Sequence, residues 1–178
     1  MQYVAFLRGI MPGNPNMNNS NLRTVFESLR FNNVKTVISS GNVIFDSSIG
    51  SSADLGASIE KAIFEQIGFH STTIVLSRPQ LEKIVSEKIF DNDVHSPSNY
   101  LTLTFLKHRA SFPFALPYTP EGKAYSFVGF KYNVVFSVVD TSVAKTPDLM
   151  AWLEKQFTKD ITTRTWKTVL RIIQEWDQ

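Results

Sequence analysis

Hydrophobic spacing switches period in a fixed order along the first 90 residues, and that order restricts the fold more than any other feature of the chain. Residues 3–8 alternate and are β-prone, which predicts a first strand. Residues 10–21 hold Pro12, Gly13, Pro15 and five asparagines, so they predict a loop, with Asn19 or Ser20 able to cap a helix after it. Leu22, Val25, Phe26 and Leu29 then fall on one face of that helix. Val34–Ser39 and Val43–Asp46 predict two strands around a tight reversal at Ser40-Gly41-Asn42. Leu55, Ile59, Ala62 and Ile63 predict a second helix that ends near Gly68. Thr72–Leu76 is a β-branched run and predicts a fourth strand. Ser77-Arg78-Pro79 opens a short third helix, with proline in the first turn.

The resulting order, β-α-β-β-α-β, is that of a ferredoxin-like subdomain over residues 1–90. Residues 91–99 are polar and break the periodicity, which predicts a linker. Residues 100–178 predict a smaller α+β subdomain, and the two halves are compatible with a degenerate duplication. Tyr100–Leu106 reads as a strand. Pro113, Pro117 and Pro120 argue against a long helix after it. Ala124–Phe130 and Val134–Val139 flank Lys131-Tyr132-Asn133 as a hairpin. Leu149, Trp152, Leu153 and Phe157 mark a helix. Thr163 or Thr165 would cap a last helix that buries Trp166, Val169, Leu170, Ile173 and Trp176.

Composition narrows the function classes. The chain has 178 residues, 43% hydrophobic and 19% charged, which excludes intrinsic disorder. It has no cysteine, so disulfides, thiolate metal sites and cysteine nucleophiles are excluded. Eighteen basic against sixteen acidic residues give +2, with no basic tract, which argues against nucleic acid as a partner. The apolar runs are strand-sized, so no membrane span is expected. No basic residue precedes the first apolar run and Arg8 ends it early, so a secretory leader is not expected there; the reading is cytoplasmic.

No metal and no cofactor is expected. Asp91-Asn92-Asp93-Val94-His95 begins like a calcium loop, but Ser96 and Thr102 stand where glycine and glutamate are needed. Neither glycine-rich nucleotide motif is present. Arg8-Gly9 to Gly13 joins a strand to a helix and could turn backbone N–H groups toward an anion; the plain alternative is a surface turn at Pro12-Gly13. Ser39-Ser40-Gly41-Asn42 carries hydroxyls without a nucleophile elbow or a nearby histidine, so it reads first as a turn. Arg164 falls in the predicted first turn of the last helix, where a cation opposes the helix dipole and so suggests an anionic partner.

Tyr3-Val4-Ala5-Phe6-Leu7-Arg8-Gly9-Ile10, then Ser39-Ser40-Gly41-Asn42-Val43-Ile44-Phe45, and finally Thr162-Thr163-Arg164-Thr165-Trp166-Lys167-Thr168-Val169 form a specific combination. It resembles the bacterial domain-of-unknown-function 1697 family, whose members open with L-L-R-G-I-N-x-G, carry [QS]-S-G-N-V-[IVL]-F, and close with T-T-R-x-W-x-T-V. The resemblance implies no activity and no catalytic residue. This chain departs from the pattern in the first loop, where Met11, Asn14, Pro15 and Met17 stand.

Convergence of Arg8, Gly9, Gly13, Ser40, Gly41, Asn42, Lys145 and Arg164 near the junction of the subdomains would suit a small anionic, phosphate-bearing ligand. Lys145 enters by its chemistry beside Thr146-Pro147. No general base is evident, which favours binding over catalysis. The competing expectation is an interaction or regulatory module that exposes aromatic residues among Tyr100, Phe112, Phe114, Tyr118 and Phe130.

Overall fold

The computed structural model describes residues 1–48 and 50–178; Ile49, in the Ser-rich stretch read as a loop, lies outside them. The chain is a mixed α+β protein with, among the described residues, two antiparallel four-stranded sheets and five α-helices. No helix among the described residues is long and apolar enough to cross a membrane. Two compact units are present: Met1–Lys83 with Arg171–Gln178, and Ile84–Leu170. The polar stretch 91–99 therefore lies inside the second unit.

In the first unit β1 (Gln2–Leu7), α1 (Asn19–Ser28), β2 (Asn32–Thr36), β3 (Asn42–Asp46), α2 (Ser52–Ile67) and β4 (Thr73–Ser77) follow in order, with a 3-10 turn at Pro15–Met17. The sheet runs β2-β3-β1-β4, and every neighbouring pair is antiparallel. Tyr3, Ala5 and Leu7 join Leu22, Val25 and Phe26 of α1 and Ile59 and Ile63 of α2 in one core. Val4 and Phe6 alternate with them and are fully buried on the opposite face. The alternation in β1 is thus between two buried faces.

Local chemistry sets the helix ends. Asn18 caps α1, accepting from the Asn21 N–H at 2.8 Å, one residue before the expected cap. α2 starts on a Ser51–Asp54 capping box and ends at Gly68. α3 (Arg78–Ser86) starts on a reciprocal pair: the Ser77 N–H donates to Gln80 Oε1 at 2.8 Å, and the Gln80 N–H donates to Ser77 Oγ at 3.4 Å.

The second sheet, β6-β7-β5-β8, places its strands as the first does: the first strand is inside and the second at an edge. Its strands are β5 (Asn99–Leu106), β6 (Tyr125–Lys131), β7 (Val134–Asp140) and β8 (Ile161–Thr165), with α4 (Thr146–Phe157) leading into β8. No helix separates β5 from β6. Phe112, Leu116 and Tyr118 of that proline-rich segment pack instead on the core of this unit, with Trp152 of α4 beside them. The β6–β7 connection is a two-residue turn with Tyr132 and Asn133 at φ of 51° and 63°. Asn133 also pins the start of the proline-rich segment. Its Nδ2 donates to the Leu106 and His108 carbonyls, both at 2.8 Å, and its Oδ1 accepts from the Ala110 N–H at 3.1 Å.

Two expectations for the C-terminal region are corrected. Ile161–Thr165 is a strand paired with β5, because a threonine-rich run satisfies its backbone in a ladder and suits a pleated surface. Thr165 still caps α5 (Trp166–Trp176), accepting from the Thr168 N–H at 3.3 Å. Leu170 is exposed rather than buried, since the inward stripe of α5 runs through Val169, Ile172 and Trp176.

Asn133→Ala removes three hydrogen bonds from a left-handed position and is expected to cost about 2–3 kcal/mol. Asn133→Gly should cost less because the turn conformation survives; urea denaturation of both variants checks the order. A pH effect arises at His95. Its Nδ1 accepts from the Leu101 N–H at 3.1 Å and its ring stacks on Tyr100. Burial, aided by the charge of Lys167, holds its pKa below the ordinary 6.5. The unfolded chain therefore binds this proton first. The His95 contribution to stability is full above 6.5 and falls as the pH drops from there through the folded-state pKa. His95→Asn should flatten denaturant midpoints measured across that window.

Candidate functional site

Three loops meet at one end of the first sheet. They follow β1, precede β3 and precede β4, and they meet because β1 lies between β3 and β4 in antiparallel register. Beyond the paired Phe6 and Asn42, the Leu7 N–H donates to the Gly41 carbonyl at 2.8 Å. The Arg8 N–H donates to the Thr72 carbonyl at 2.9 Å, and Ser71 Oγ donates to the Arg8 carbonyl at 2.8 Å. The first loop is therefore stitched to both of its neighbours through backbone atoms.

Close approach explains two glycines. Gly41 has φ +76°, and a Cβ there would sit 2.7 Å from Ile10 Cγ1 and 3.0 Å from the Leu7 carbonyl oxygen. Gly9 has φ +78°, and a Cβ would sit 2.7 Å from Phe69 Cζ. Gly13 differs: nothing lies within 4 Å of its Cβ position and its φ is outside the left-handed range. The Asn14 N–H to Met11 carbonyl bond of 2.9 Å closes a turn there that does not require glycine.

Asn42 is fully buried and its Nδ2 donates to the Val37 carbonyl at 3.0 Å and to Ser40 Oγ at 3.1 Å. The Val37 N–H donates to the Asn42 carbonyl at 2.8 Å. Residues 37–42 are thus a loop closed on itself, with Ser39 and Ser40 exposed at its crest. Arg8 is half-buried beside it in the stitched loop. At the start of β4, Glu60 Oε1 of α2 accepts from the Thr73 N–H at 2.7 Å.

Of the sequence-derived site residues, Arg8, Gly9, Ser40, Gly41 and Asn42 come together here, while Gly13 lies on the outer turn. Lys145 and Arg164 belong to the second unit. Lys145 is exposed at the start of α4, where its N–H donates to the Asp148 carboxylate at 3.1 Å. Arg164 is a residue of β8 opposite Leu103, not of a helix start, so the dipole argument for an anionic partner falls away. Its guanidinium donates to Thr162 Oγ1 at 2.7 Å and to the Thr163 carbonyl at 2.9 Å. Burial pushes its pKa down to about 10, which still leaves it charged at neutral pH. Sequence reasoning missed Ser71, Thr72 and Phe69. Their part depends on β4 pairing with β1, a contact that no local pattern announces.

The aromatic residues are largely absorbed by the second core: Tyr100, Phe112, Tyr118 and Phe130 are partly buried against it. Phe114 is 41% exposed and stacks on Tyr118 at 4.1 Å.

Gly41→Ala is expected to destabilise the protein by about 2 kcal/mol through strain and overpacking. Gly13→Ala should stay within about 0.5 kcal/mol of the parent. Thermal melts of the two variants side by side check the contrast.

The fold is shared with a solved bacterial structure described as conserved protein SP0830 from Streptococcus pneumoniae. The two chains are 22% identical, superpose with a TM-score of 0.73, and cover 99% of this chain and 98% of that one. No curated protein matches the sequence. The sequence pattern described as "Protein of unknown function (DUF1697)" matches residues 1–117, which include all three loops of the site, and the chain belongs to that family.

Proposed function

We infer that the protein binds a small anionic ligand, of the phosphate-bearing kind, on the loop cluster at the end of β1. The observation that carries this reading is the backbone stitching of the Arg8-Gly9 loop to residues 37–42 and 71–72, which holds a guanidinium-bearing loop against one with two exposed hydroxyls. Arginine offers a planar fork of donors that matches phosphate oxygens, and serine hydroxyls add neutral donors. A preordered loop loses little entropy when the ligand arrives. The small net charge suits local recognition of this kind better than a broad electrostatic surface.

Lys145 and Arg164 have no part in this reading. Arg164 has its guanidinium buried and hydrogen-bonded within β8, and Lys145 stands at the start of α4 in the second unit.

Isothermal titration with inorganic phosphate at low ionic strength tests the reading. The parent protein should bind, and Arg8→Ala should weaken binding by at least about tenfold, since a hydrogen bond to a charged group contributes about 1.5–3 kcal/mol. Equal affinity for parent and variant, or no binding to the parent, would overturn it.

A further inference from the structure

Ile38 occupies a conformation that its side chain opposes. Its φ is +59°, in the left-handed region, where a β-branched residue is strained. Six other non-glycine residues among those described have positive φ, namely Arg30, Asn33, Lys88, Tyr132, Asn133 and Thr158. Of these only Thr158 is also β-branched, and it stands at the end of α4 with an extended ψ of −174°. Ile38 ends no helix. It is held in place by the closed loop 37–42, whose ends are tied by Val37 and Asn42.

The side chain gains little from the fold in return. Ile38 is 52% exposed, an apolar group facing solvent. Met11, in the neighbouring loop, is 56% exposed, and Ile10 before it lies on Gly41. Asparagine or glycine would fit this backbone at lower cost and would not expose a hydrocarbon. Strain combined with apolar exposure, beside exposed hydroxyls and Arg8, marks a residue kept for what it touches when the site is filled.

We propose that Ile38 is a specificity residue that packs against an apolar body attached to the anionic group, so that the ligand is an organic phosphate monoester rather than free phosphate. This rests on the anion-binding reading above and names the class of ligand for that same site. The phosphate faces Arg8 and the serine hydroxyls, and the hydrocarbon or ring of the ester covers Ile38, removing it from water.

Phenyl phosphate and inorganic phosphate, titrated in parallel into the parent protein, Ile38→Leu and Ile38→Asn, provide the test. In the parent, phenyl phosphate should bind about tenfold more tightly, the order expected when a ring covers an isoleucine side chain. Ile38→Leu, which keeps the apolar surface, should preserve that ratio, and Ile38→Asn should bring it close to one. The Ile38→Asn protein should melt at or above the parent temperature, because asparagine tolerates the left-handed backbone. A ratio near one in the parent, or a ratio unchanged in Ile38→Asn, overturns the role of Ile38 while leaving phosphate binding intact. Failure of both compounds to bind the parent overturns the anion site and this proposal together. A melting temperature for Ile38→Asn well below that of the parent overturns the strain argument.

Discussion

The first unit depends on the pairing of β1 with both of its neighbours. Gln2–Leu7 is hydrogen-bonded to β3 on one side and β4 on the other, and its residues are buried on both faces of the sheet. A one-residue slip of a strand so enclosed would exchange the side chains of its two buried faces and misfit the packing on both. The fixed register then determines what meets at its end: Leu7 reaches Gly41, and Arg8 reaches Thr72. The loop cluster therefore follows from the core. The same packing that buries Val4 and Phe6 presents Arg8 beside the serine loop.

The second unit arrives at the same strand order with different material. Where the first unit places α1 between its first two strands, the second has a proline-rich segment whose aromatic side chains pack on α4 and β6. Rings supply large apolar area without a regular backbone, so the segment can cover the sheet while its prolines forbid a helix. Its carbonyls and amides still need partners, and Asn133 provides three of those bonds from the opposing turn. This is why a left-handed asparagine, rather than glycine, suits the β6–β7 turn.

Much of this is legible in the sequence wherever structure is local. Helical spacing places α1 and α2, Gly68 ends α2, Ser77-Arg78-Pro79 opens α3, and the residues flanking Lys131-Tyr132-Asn133 announce the hairpin. The elements that sequence reasoning misplaces depend on distant partners. Ile161–Thr165 is polar enough to pass for a helix cap, and it is a strand because β5 pairs with it along its length. Arg164 changes from a helix-start cation to a core residue for the same reason. The loop that includes Ser40, Gly41 and Asn42 is legible as a turn, whereas the strain at Ile38 is enforced by a side chain four residues away and by its closure with Val37, which no composition reveals.

The most direct test of the account is to follow the backbone amide signals of the protein in a phosphate titration by heteronuclear NMR. Saturable shifts at Arg8, Gly9, Ser39, Ser40 and Gly41, with little change at Lys145 or Arg164, are the predicted result. Shifts that never saturate, or that centre on other parts of the chain while the loops at the end of β1 stay silent, would contradict it.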